Sequence, residues 1–140
     1  MIFASSFGLC RNALAVCATS VLLLAGCASL QPQTPEQLVE ARANQRWQYL
    51  IEGDLQKAYD MLNDSYRQVI PYERYRSRMS NGGWLKAKVI SVSCADEVCA
   101  ARISLEVKSP LGAKYGSNIT TGLDETWVFE GGQWHVKPQL

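Results

Sequence analysis

The sequence is poor in the groups from which metal centres and acid–base sites are usually made. It has one histidine, His135, in 140 residues, and no His-Glu-x-x-His pair, glycine-rich phosphate loop or serine nucleophile elbow. Metal catalysis, P-loop phosphate binding and serine hydrolysis therefore have no foothold, and no metal or cofactor is expected. It also lacks an excess of either charge, with 14 Lys and Arg against 13 Asp and Glu. Nucleic acid is excluded as a partner, because no surplus positive charge is available to displace counterions. A membrane-crossing helix needs about 20 apolar residues. The apolar run over residues 13–25 is shorter and is broken by Thr19 and Ser20.

What is there begins with that run, which has the length of the apolar region of an export signal and ends in the small residues Ala25 and Gly26. Leu24-Ala25-Gly26-Cys27 resembles the lipobox of bacterial lipoproteins. The resemblance implies that Cys27 becomes the first residue and carries lipid on its thiol. Positive charge before the run is limited to Arg11 and the amino terminus. Each buried CH₂ contributes about 0.8 kcal/mol, so two or three acyl chains hold a protein on a membrane where one does so marginally. The expected organisation is a signal over 1–26, a lipidated tether over 27–34 and one domain over 35–140. Loss of Arg11 with the signal balances the remaining charges. Ala28 after the cysteine implies, in a Gram-negative cell, an outer-membrane anchor with the domain in the periplasm.

Five cysteines are odd for an exported chain. Cys10 and Cys17 leave with the signal and Cys27 is consumed by lipid, so Cys94 and Cys99 remain. They flank the loop Ala95-Asp96-Glu97-Val98 between two alternating strands. Placed opposite one another, they set Val92 against Ala101 and Ile90 against Ile103, which gathers apolar residues on one face. A disulfide closing this short loop contributes about 2 kcal/mol and suits an oxidising compartment. A metal pair lacks histidine nearby, and the spacing is not that of a Cys-x-x-Cys redox couple.

Thr34, Pro35 and Gln37 form the start of a helix by capping box and first-turn proline. Val39, Ala43, Trp47 and Leu50 fall on its buried face, with Arg42 and Arg46 nearer water, and Gly53 ends it. Asp54 caps a second helix with Leu55, Ala58, Tyr59 and Leu62 inward. A third begins near Pro71, with Tyr72, Tyr75 and Met79 on one face. From Trp84 onward the period changes to two, giving four strands. Gly131-Gly132 is the turn of the final hairpin, in which Phe129 meets Trp134 and Trp127 meets Val136. The glycine-rich stretch over 109–117 is the expected mobile rim of any site.

Helices followed by an antiparallel sheet give an α+β fold with helices on one sheet face. The run "WQYLIEGDLQKAYDMLNDSYRQVIPYERYRSRM" and the hairpin "DETWVFEGGQWHVKP" resemble the nuclear transport factor 2-like superfamily. That resemblance implies a curved antiparallel sheet wrapped into a cone around the first helix. It carries no catalytic residues, since such folds include dehydratases, isomerases, polyketide cyclases and noncatalytic exported domains.

Three functional readings stay open. A noncatalytic domain binds a small apolar ligand in a pocket lined by some of Trp47, Tyr59, Tyr75, Trp127, Phe129 and Trp134, unless these aromatics are plain core. It binds an envelope protein, or a second copy as a homodimer, through the outer sheet face, as a structural or assembly subunit of an envelope complex. An isomerase or dehydratase needs an acid or base in the cone, for which His135, Asp60, Asp124 and Glu125 are the candidates and surface solvation the alternative. Arg67, Arg74, Arg76 and Arg78, followed by Lys86 and Lys88, form a candidate patch for an anion or acidic partner, or simply solvate their helix.

Overall fold

The computed structural model describes residues 32–109 and 118–139. Cys27, the signal and most of the tether, and the proposed mobile rim from residue 110 onward, lie outside the described residues.

Helix α1 runs over Pro35–Glu52, with the expected capping box at Thr34 and Gly53 closing its end in the left-handed region. Three short helices follow: α2 (Leu55–Asp60), α3 (Asp64–Val69) and α4 (Tyr72–Met79). The second of these was not anticipated, because six residues with only Tyr66 buried show no periodic stripe. Four strands complete the domain: β1 (Trp84–Ala95), β2 (Val98–Lys108), β3 (Asn118–Glu130) and β4 (Gln133–Val136).

The strands pair antiparallel in chain order, β1-β2-β3-β4. Helices before an antiparallel sheet are as expected. The cone is not: four strands in simple succession form an open meander whose ends do not meet. The edge of β4 is covered by the segment after α2, where the Asn63 N–H donates to the Val136 carbonyl and the Val136 N–H to that of Met61, each at 3.0 Å. Among the described residues nothing pairs with the other edge, β1.

Register places Cys94 opposite Cys99 and Val92 opposite Ala101, and the two cysteines are disulfide-bonded. Ile90 does not face Ile103. A register shift between Val89 and Ser91 gives that place to buried Val89 and leaves Ile90 57% exposed. Alternation cannot anticipate such a bulge, since one extra residue reverses every facing beyond it.

One sheet face meets the helices. Val39, Ala43, Trp47 and Leu50 of α1 pack with Ala58, Tyr59 and Tyr75 against Ile103, Leu105, Trp127 and Val136. The other face carries Ser91, Ser93, Ala100, Arg102 and Thr126, all exposed.

Candidate functional site

The six aromatic pocket candidates do not line one opening. Trp127 and Tyr75 are fully buried, and Trp47, Tyr59 and Trp134 nearly so, while Phe129 stands at the rim, 38% exposed. Their contacts are mutual. Tyr59 lies edge-on to Tyr72 and tilted against Tyr75, with centroids 5.5 and 5.3 Å away, and Phe129 is tilted against Trp134 at 5.3 Å. The Tyr59 hydroxyl donates to the Ile70 carbonyl at 2.9 Å, so its one polar atom is satisfied within the fold. Such rings form close-packed core, with centroid separations in the range that aromatic pairs prefer.

Inside that core lies a polar cluster that strand and helix patterning had placed in water. Arg46 and Glu125 are 5% and 8% exposed. The Arg46 Nη1 donates to Glu125 Oε1 at 2.5 Å, and the Trp127 indole Nε1 donates to the other carboxylate oxygen at 3.2 Å. The Arg46 guanidinium also sits over the Trp47 ring, 5.6 Å from its centroid. Burial pushes the Tyr75 phenol above its ordinary pKa, opposed by nearby Arg46. Both carboxylate oxygens of Glu125 thus accept a hydrogen bond within the core, and the cluster ties α1 to β3.

The other acid–base candidates are apart from it. Asp60 is exposed and accepts from Gln56 Nε2 at 2.9 Å. Asp124 is exposed and paired with Arg102 at 2.5 Å. His135 lies half-buried on the outer face, in line with Val128. No two of these form a dyad.

The arginine patch is partly neutralised along its own helices. Arg67 pairs with Asp64, and Arg76 with Glu73 at 2.7 Å. Arg74 and Arg78, one helical turn apart and exposed, make no ion pair among the described residues. Lys86 pairs with Glu106 at 3.3 Å.

A shallow groove of about 430 Å³ runs between α1 and β1. Trp47, Ile51, Leu85 and Ala87 supply its apolar walls, and Asn44, Gln48, Glu52 and Lys86 its polar rim. The Trp47 ring meets Trp84 edge-on, centroids 5.9 Å apart. Sequence patterning missed this groove because it is set by a register shift between Trp84 and Lys86, at Leu85.

No protein-family profile matches the chain, and no curated protein is similar to it in sequence. Solved structures do resemble it. A SEC-C motif containing protein from Rhodopseudomonas palustris superimposes with a TM-score of 0.56 at 14% identity, over 75% of this chain and 76% of that one. A Campylobacter jejuni protein described as an NTF2-like transpeptidase gives 0.55 at 10% identity, over 72% of this chain and 98% of its own. A SEC-C motif containing protein from Psychrobacter arcticus gives 0.57 at 8% identity, over 76% of this chain and 63% of that one. At such identities the likeness concerns fold alone: helices packed on an antiparallel sheet.

Proposed function

We propose that this chain is a lipid-anchored protein of the bacterial cell envelope whose domain binds a protein partner without transforming it. The observation that carries the binding mode is the closed aromatic core. Five of the six aromatics that would line a ligand pocket are buried against one another and their neighbours. What remains for recognition is surface: the outer sheet face and, among the described residues, the uncovered edge of β1 and Arg74 and Arg78 of α4, which make no ion pair. The envelope location is supported by the lipobox-like Leu24-Ala25-Gly26-Cys27 and by the Cys94–Cys99 disulfide, which belongs to oxidising compartments.

The test is native mass spectrometry of the exported protein against its denatured mass, together with in-cell photo-crosslinking from Ala100 and Ile90. A small noncovalent mass excess would overturn the reading in favour of an apolar ligand. A bare mass with discrete protein adducts is the expected result. For the anchor, Cys27→Ala should move the protein from the membrane to the soluble fraction; an unchanged distribution would remove the lipid assignment.

A further inference from the structure

The groove between α1 and β1 adjoins the one sheet edge that nothing covers among the described residues. An edge strand directs alternate N–H and C=O groups away from its single neighbour, and these are a template for another strand. Beside β1 that template runs along apolar walls made by Trp47, Ile51 and Ala87. Resting on the partner-binding reading above, we infer that the groove receives an extended peptide segment of the partner, added antiparallel to β1 as a fifth strand.

Three observations define the segment. Register shifts flank residues 86–89, so the regular stretch of edge beside the groove is four residues long and fits a segment of about four to six. Asn44, Gln48 and Glu52 follow one another at four-residue intervals on the helical wall. Their amide and carboxylate groups offer hydrogen-bonding partners along one side of the groove. Charge fixes the rest. Lys88 is exposed on the outer face, without an ion pair among the described residues, and Lys86 stands two residues before it. Opposite charges directly across a strand pair are favourable and like charges unfavourable. The segment therefore alternates small apolar residues toward the groove with acidic residues toward the lysines. The same two lysines reject basic or like-charged edges, including a second β1.

The probe is the hexapeptide acetyl-Glu-Val-Glu-Val-Glu-Val-amide, titrated into the ¹⁵N-labelled full chain. Three controls are the block isomer Glu-Glu-Glu-Val-Val-Val, the alternating peptide N-methylated at every residue, and the Lys88→Glu variant. The expected result is at least tenfold slower exchange of those amides among residues 86–89 that point away from β2, binding weakened tenfold or more in each control, and unchanged unfolding of Lys88→Glu. Equal binding of the N-methylated peptide would overturn strand addition, as would shift changes confined to the outer face or no binding at millimolar peptide. Slow exchange of these amides in the free chain, or slowing with protein concentration alone, would give the edge to another segment of the chain or to a second copy. In cells, adducts from Ala100 without adducts from Ile90 would leave partner binding standing and remove β1 as its site. Adducts from neither would remove both.

Discussion

Arg46 of α1 and Glu125 of β3 meet at 2.5 Å inside an apolar core, 79 residues apart in sequence. Neither charge has an exit to water, so each depends on the other. Removing one partner of a buried pair costs about 3–5 kcal/mol, whereas replacing both with apolar groups of similar volume is often neutral or better. Glu125→Ala should therefore lower the urea unfolding free energy by about that amount, and the double variant Arg46→Met with Glu125→Leu should recover most of it. Additive losses in the double variant would show that the pair is not coupled.

Tyr75 supplies a pH signature. Its folded pKa lies above the ordinary tyrosine value because burial disfavours the phenolate. The folded state thus holds that proton more tightly than the unfolded chain. Its contribution is complete below the unfolded value near 10 and is lost as pH rises through the folded value. Stability should fall on the alkaline side above about pH 10, and Tyr75→Phe should flatten that limb. Since the hydroxyl makes no geometrically sound hydrogen bond among the described residues and has only the nearby Arg46 guanidinium as a polar neighbour, the substitution should cost under about 1 kcal/mol at neutral pH.

The disulfide closes only the 94–99 loop, so its contribution is local. Reducing it, or replacing both cysteines with alanine, should lower stability by about 2 kcal/mol without unfolding the domain. Matched denaturation curves of oxidised and reduced protein read this directly. Loss of all secondary structure on reduction would mean that the hairpin organises the rest of the sheet.

Gly82 is needed for space. A Cβ at that position would collide with the Trp84 indole, whose edge packs against Trp47. Gly82→Ala should push Trp84 off that contact, with a cost of about 1–3 kcal/mol typical of overpacking and a change in tryptophan fluorescence. An unperturbed emission spectrum would contradict the placement.

Arg74→Ser with Arg78→Ser separates recognition from folding. Both side chains are exposed and make no ion pair among the described residues, so stability should stay within about 0.5 kcal/mol. Retained affinity for acidic probes in this variant would assign α4 no part in binding; a loss would add it to the lysines of β1.

Much of the fold was legible because local signals were strong: the Thr34 capping box, the Gly131-Gly132 hairpin and the facing cysteines all hold. The buried pair was legible too, though read otherwise. Arg46 is three residues after Ala43 and four before Leu50, within the apolar stripe, and Glu125 shares the strand face of Trp127. Charge suggested solvent where position indicated core. The two register shifts in β1 had no such signal, and with them went the exposure of Ile90 and the shape of the groove. The curvature implied by resemblance failed because that likeness carries strand order and helix placement more faithfully than the closure of a sheet.

The covering of β4 has a consequence for how the chain comes into being. The Arg42 side chain donates to the Trp134 carbonyl across 92 positions, and the strand pairing of Leu62 awaits Val136. The helices are made first and find β1 and β2 early, yet the Arg42 bond and the seam from Met61 to Asn63 wait for the closing hairpin. Contacts this distant in sequence slow folding. Under the export proposed above, that delay would keep the polypeptide threadable and leave final closure to the compartment in which the hairpin is oxidised.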